Sequence, residues 1–371
     1  MIGEDNPELS SEKPIEVIVS ANRGYAQDAL DIPQSVSSTS YQSLNQNSVY
    51  CNLEEALREF PNIGFGQATQ SFSSHQGGNT SSNYWQQGFT IRGLGNARVL
   101  VLTDGIRQSG QGIGYGGGNL SLYDMPAIER VEVLRGPYSV LYGTDALGGV
   151  VHIISKEPVF SKDKAMRVGA RVSFDGSRRL WRRSVTMDFS GPDHAVTVGA
   201  TDTQANRPKA PAGTVIDNGA FQSHGFWVKS LHQLTPHSQL KLLANSTQVE
   251  DIEIANRDIV KTMAKSGKPA TYMKTPLRIT IPHYRRTAFG AEWCLREYSD
   301  ALEQAQIGLY WQQLRRRFAW EAPMVGPEKA SYRLTHDQGN TVELQPMMVL
   351  NLNDHTLTGG IDLGYDDVRP A

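Results

Sequence analysis

The sequence predicts an α+β globular domain followed by long antiparallel β-strands that wall a membrane barrel. Three observations carry this expectation. Residues 89–155 hold three strand-like runs, FTIRGLGNARVLVLTDGIRQ, ERVEVLRGP and SVLYGTDALGGVVHIIS, set apart by glycine-rich turns. After Pro158 the pattern changes to strict alternation of apolar and polar residues over runs of about ten. The connections between those runs alternate between short and long, as they do where one rim of a barrel carries tight turns and the other carries loops.

The chain begins with MIGEDNPELSSEKP, which is acidic and lacks the apolar centre of a secretory signal. Residues 14–21, PIEVIVSA, then give a short run of high β propensity. Such a run suits either an ordinary first strand or a strand offered to a partner's sheet edge. A helix comes next. Asn52 can cap it, Glu55 can complete a capping box, and Leu53, Ala56, Leu57 and Phe60 share one face before Pro61 and Gly64 end it. Two polar segments, 65–88 and 109–119, are too irregular for regular structure and long for connectors, a length that is often functional.

The ALREFP run at 56–61, the RGP at 135–137 and LYGTDALGG at 141–149 resemble the plug domain of TonB-dependent outer-membrane receptors. Glu16, Val17, Ile18, Val19, Ser20 and Ala21 are similar to the TonB box that precedes a plug in that family. The resemblance implies three regions: a mobile segment with the box (1–25), a plug (26–158) and the amino-terminal part of a β-barrel (159–371). It implies that the polar loops form an apex where ligand lands, with His75, Tyr84, Trp85, Arg107 and Tyr115 as the chemically able residues. Arg92, Asp104, Glu129, Arg130, Glu132 and Arg135 are then candidates for ion pairs between plug and barrel, against the alternative of solvated surface charges. Gly112, Gly114 and Gly117 satisfy a dinucleotide fingerprint by spacing alone, since no strand feeds them and Pro126 interrupts any helix after them.

In the barrel region, Met166, Val168, Val172 and Phe174 alternate with Arg167, Gly169 and Arg171. Trp181, Val185, Met187 and Phe189 alternate with Arg182, Ser184 and Thr186, and Phe289 and Trp293 with Gly290, Glu292 and Cys294. Leu357, Ile361, Leu363 and Tyr365 repeat the pattern near the end. Nine strands are expected, with short connections at 191–194, 235–237, 298–303 and 352–355 and long ones at 205–220, 250–282 and 319–340. A soluble sandwich alternates too, but its strands are shorter. About nine strands make too narrow a barrel to house a plug. The family closes its barrel with 22 strands, so the expectation is a receptor cut inside its barrel.

Composition narrows the function. With 36 basic against 38 acidic residues and no basic block, a nucleic-acid partner is not expected. Cys51 and Cys294 are the only cysteines, and no zinc spacing or nucleophile motif is present, so neither a resident metal nor enzyme chemistry is expected. The resemblance implies energy-coupled uptake across a Gram-negative outer membrane. TonB and its inner-membrane energising complex would be the partners, and haem or a ferric siderophore the transported ligand, with no permanently bound cofactor. RGLGNARVLVLTDGIRQ looks most like haem and haemoglobin receptors, and His75 lies where some of those carry an axial imidazole. Cobalamin uptake, an inactive fragment and a non-transporting binding or signalling module are the alternatives.

Overall fold

The computed structural model describes residues 18–22, 25–28, 35–40, 53–58, 60–65, 89–94, 98–108, 123–143, 146–176, 179–209, 213, 215, 219–263, 271–323, 330–352 and 355–370. The first strands, β1 (Ile18–Asn22) and β2 (Tyr25–Asp28), form a two-stranded hairpin. Two further short strands, β4 (Ile63–Phe65) and β5 (Phe89–Ile91), pair with each other.

The globular domain is built on a five-stranded sheet. Its strands are β3 (Ser35–Ser40), β6 (Val99–Thr103), β7 (Ile106–Arg107), β8 (Ile128–Arg135) and β9 (Gly149–Ser155), in the order β3-β8-β9-β6-β7. Only β6 and β9 run parallel. Both faces are covered, which is why the central strands read as continuous apolar runs. Val99, Val101, Val131, Val133, Val151 and Ile153 face α1 (Leu53–Leu57), whose Leu53, Ala56 and Leu57 are fully buried with Phe60 behind them. Leu100, Leu102, Leu134 and Val150 face the other way, onto Tyr138 and the short helix α2 (Ser139–Tyr142). The predicted helix face is therefore the one that packs. Gly149 opens β9 at φ 150°, and a Cβ there would lie 2.3 Å from the Leu134 carbonyl oxygen. Only glycine fits.

The remaining strands form an antiparallel meander: β10 (Ala165–Asp175), β11 (Leu180–Ser190), β12 (His194–Ala205), β13 (Phe221–Thr235), β14 (Ser238–Met263), β15 (Thr271–Arg296), β16 (Leu302–Pro323) and β17 (Ala330–Leu352). Each pairs with the next. β18 (His355–Gly360) and β19 (Leu363–Pro370) lie along the same edge of β17 and are two halves of one strand, so the ten strands count as the nine expected. The break falls opposite Pro346. Its carbonyl accepts from the Ile361 amide at 3.1 Å, and the donor it lacks would have pointed to the same side. Among the described residues the sheet is open, with β10 at one edge and β18 and β19 at the other.

Two expected loops are corrected. Residues 250–282 and 319–340 are mostly ladder: β14 and β15 stay paired from Ser238↔Leu295 to Met263↔Thr271, and β16 and β17 to Pro323↔Ala330. The strands reach 26 residues rather than about ten. The register shifts between Glu253 and Ala255, and a one-residue bulge reverses which side chains face which way, so a fixed-phase alternation stops there. The long connection at 205–220 stands as expected, between β12 and β13.

Candidate functional site at the junction of plug and wall

The alternation gives the wall two chemically distinct faces. Met166, Val168, Val172, Trp181, Val185, Phe289 and Trp293 are exposed on the outer face. The inner face presents buried polar residues instead, among them Arg182, Thr201, Lys229, Arg286, Glu292, Gln312, Thr341 and Glu343. A buried polar residue needs a partner, and several find theirs in the globular domain.

They meet on the turn between β6 and β7. Asp104 and Gly105 have φ of 49° and 83°, a tight turn that drives the Asp104 carboxylate toward the wall. Lys229 of β13, 1% exposed, places its ammonium 2.9 Å from Asp104 Oδ1 and 3.1 Å from the Ser155 carbonyl oxygen, with Glu157 Oε1 at 3.4 Å. The Ser155 amide and hydroxyl donate to the two Asp104 oxygens at 3.0 and 2.8 Å. Burial alone would raise the Asp104 pKa. The Lys229 charge and these hydrogen bonds outweigh it and hold the carboxyl down at about 2.

The rest of the turn is gripped through its backbone. Gln345 donates to the Gly105 carbonyl at 3.3 Å, the Arg107 amide donates to Glu343 Oε2 at 3.3 Å, and Gln312 donates to the Arg107 carbonyl at 2.6 Å. Arg286 donates to Gln108 Oε1 at 3.0 Å and to Asn245 Oδ1 at 2.8 Å, and lies over the Tyr123 ring. Ile106 packs with Leu243, Ala288 and Tyr310. Deeper in the wall, Lys241 and Tyr310 both bind Glu292, each at 2.9 Å.

Beside this turn lies a void of about 40 Å³ lined by Asp104, Tyr123, Asp124, Trp227, Lys229 and Arg286 among others. Asp124 Oδ2, Trp227 Nε1 and Arg286 Nη2 are shielded from solvent there without a hydrogen-bond partner. Burial pushes the Asp124 carboxyl up to about 6, against the Thr201 hydroxyl and the charges of Arg182 and Lys156. Gly225 on the wall makes room for it, since a Cβ there would meet Asp124 Oδ2 at 2.6 Å.

Of the six candidate ion-pair residues, Asp104 reaches the wall. Glu129, Arg130, Glu132 and Arg135 sit on β8, which is flanked on both edges by β3 and β9, and their pairings run inside the domain. Arg130 bonds Glu132 at 2.9 Å, Glu132 faces His152 at 3.7 Å, and Glu129 accepts from the Glu157 amide. Arg135 bonds the Pro61 carbonyl and Ser37. Arg92 lies exposed in the turn after β5, its amide bonded to the Asn62 carbonyl at 3.0 Å. Arg107 is half-buried at the junction and donates to the Tyr142 carbonyl. His75, Tyr84, Trp85 and Tyr115 lie outside the described residues, as do Glu16, Val17 and Cys51; Ile18, Val19, Ser20 and Ala21 belong to β1. Cys294 is buried and unpaired. Lys229, Arg286, Gln312, Glu343 and Gln345 were not singled out from sequence. Their signal was a polar residue at each inward step of an alternating strand.

Residues 28–150 match the family model described as the TonB-dependent receptor plug domain. The iron-regulated outer membrane virulence protein of Vibrio cholerae serotype O1 is 35% identical over 154 residues, which cover 39% of this chain and 21% of that protein. Among solved structures, the copper transporter OprC superposes with a TM-score of 0.69 at 16% identity, covering 90% of this chain and 46% of that one. The ferric enterobactin receptor PfeA from Pseudomonas aeruginosa gives 0.64 at 16% identity, covering 95% and 51%. The chain thus spans about half the length of these two structures and about a fifth of the Vibrio protein in the matched stretch. At such identities the structural likeness establishes the fold alone: a small α+β domain beside an antiparallel wall of long strands, as in these two structures.

Proposed function

Since this chain carries the plug domain of the TonB-dependent receptors over residues 28–150 and a wall with the fold of theirs after it, we propose that it serves energy-coupled uptake of a ferric chelate across an outer membrane. The observation that carries this reading is the grip on residues 104–108: a compact domain is held against the polar face of a membrane wall by hydrogen bonds and one buried ion pair. A permanent interface would be expected to be apolar. Polar contacts are individually worth about 0.5–1.5 kcal/mol net and can be exchanged for water, which suits a plug that must let go.

The path of the pull is short. Glu16 and Val17 of the box lie ahead of β1 and its other four residues open that strand, while β3 is the edge strand of the plug sheet, paired to β8 through Ser35↔Arg135 to Ser40↔Arg130. Its sequence, SVSSTS, offers Val36 as its one apolar anchor. TonB bound to the box would draw on β3 first, and β3 is the strand whose release costs least apolar burial.

The ligand class is favoured by the relatives. The Vibrio protein is iron-regulated by name, and PfeA is a ferric enterobactin receptor. A ferric siderophore is therefore preferred over haem. Uptake of radiolabelled iron by cells producing the protein tests this. The expected result is TonB-dependent accumulation from a ferric catecholate and none from haem. Accumulation from haem alone would replace the ligand class, and accumulation that persists without TonB would remove the coupling.

A further inference from the structure

Residues directly opposite one another in an antiparallel ladder share a face, so the registers divide the outer face of β14 to β17 into rows. One row is apolar: Ala244, Phe289, Trp311 and Val342, continued on β19 by Tyr365. The next row toward the long hairpins is polar and uncharged, Ser246, Thr287, Gln313 and Asn340. Beyond it stand Gln248, Arg285, Arg315 and Gln338, and then Glu250, His283, Arg317 and His336. The apolar band thus ends on aromatic side chains and gives way within two rungs to cationic ones. Aromatic residues mark the edge of the hydrocarbon in barrels of this kind.

Arg285 and Arg315 face each other across the ladder, and both are exposed, as is Arg317 one rung on. Like charges directly opposite are destabilising. Neighbouring acids on this face are engaged elsewhere: Glu250 lies 3.7 Å from His283, and Asp367 pairs with Arg369 at 2.8 Å. Arg285 bonds the Ser246 hydroxyl at 3.3 Å. Arg315 and Arg317 have no acidic partner among the described residues. Beyond the polar row of Ser246, Thr287 and Gln313 lies an apolar recess of about 590 Å³, lined by Leu242, Ala244, Phe289, Ala291, Leu309 and Trp311 among others.

We infer that this face binds a lipid whose headgroup is an exposed, net-anionic phosphate, the phosphate on Arg285, Arg315 and Arg317 and an acyl chain in the recess. The inference rests on the reading of the sheet as a membrane wall. Forked guanidinium groups match phosphate oxygens in pairs, and an anion between Arg285 and Arg315 turns a repulsive rung into a bridged one. Free phosphate satisfies the arginines but not the recess; an amphiphile that spans the intervening polar row reaches both.

Native mass spectrometry of the detergent-purified protein, titrated with phosphatidic acid or with phosphatidylcholine of the same chains, gives the test. The expected result is retention of phosphatidic acid at least about tenfold above phosphatidylcholine, the ratio that one charge-assisted contact of about 1.4 kcal/mol supplies. Arg315→Gln/Arg317→Gln should abolish that preference, and Arg315→Lys/Arg317→Lys should keep most of it. Arg183→Gln, on the same face but paired with Asp202, should leave it unchanged. Equal retention of both lipids by the unmodified protein, or displacement of phosphatidic acid by inorganic phosphate, would overturn the lipid site while leaving the wall intact. Retention of neither lipid would overturn the wall and the site together.

Discussion

Asp104 and Lys229 lie 125 positions apart in sequence and 2.9 Å apart in space. The Asp104 side of this pair was visible in the sequence, as one of six charges set among the plug-like strands. The Lys229 side was hidden, because FWVKSLH becomes inward-facing at Lys229 only once the register with β12 and β14 is known. The charges on β8 misled for the complementary reason: a strand rich in Arg and Glu reads as a surface element, whereas β3 and β9 enclose it and Arg130, Glu132 and His152 satisfy one another. Removing one member of a buried pair leaves an uncompensated charge, so Lys229→Met should weaken plug seating by about 3–5 kcal/mol. Adding Asp104→Asn to it should recover much of that loss, as measured by chemical denaturation of the plug signal.

Two aspartates at this junction also set opposite responses to pH. The Asp104 pKa is lowered on folding from 3.8 to about 2, so its contribution is present above 3.8 and is lost as pH falls toward 2. The Asp124 pKa is raised from 3.8 to about 6, so it favours the seated plug below 3.8, and that advantage is lost as pH rises through 6. Seating should therefore strengthen between pH 7 and pH 5 and weaken again below 4. Asp124→Asn should reduce the upper limb and leave the lower one. Hydrogen exchange of the 104–108 amides against pH reads both limbs, and an unchanged upper limb in the variant would assign it to another group.

At the scale of elements, the plug was the most legible part. Its strands are short, each is bounded by Gly or Pro, and α1 buries the face that its spacing marked, Leu53, Ala56, Leu57 and Phe60. The long hairpins were read as loops because local alternation carries no memory across a bulge, as at Glu253/Ala255 in β14 and between Thr280 and His283 in β15. The candidate ligand residues His75, Tyr84, Trp85 and Tyr115 sit in segments whose composition gives neither period. At the amino terminus, β1 pairs with β2 along one edge, and among the described residues its other edge carries no strand. We propose that TonB adds its strand at that edge. Val17→Pro, which places a ring and removes a donor just ahead of β1, should then reduce binding to the periplasmic TonB domain severely, since proline is excluded from paired strand interiors. Undiminished crosslinking between that variant and TonB would move the contact elsewhere.

The molecule as a whole sets a domain with a closed two-faced core against one side of a single-layer sheet, and that sheet turns its polar residues to the domain and its apolar ones away. Everything said of seating, of release and of the lipid-facing row depends on that sidedness. Single cysteines introduced at Val168, Val185 and Trp293, and at Arg167, Thr186 and Glu292, report it directly when the protein is reconstituted in a bilayer and exposed to a thiol probe confined to the hydrocarbon. The first three positions should react. The second three should not, with Glu292 the most protected because it is 9% exposed and bonded to Lys241 and Tyr310. Labelling at Arg167, Thr186 and Glu292 with protection at Val168, Val185 and Trp293 would contradict the account at its root.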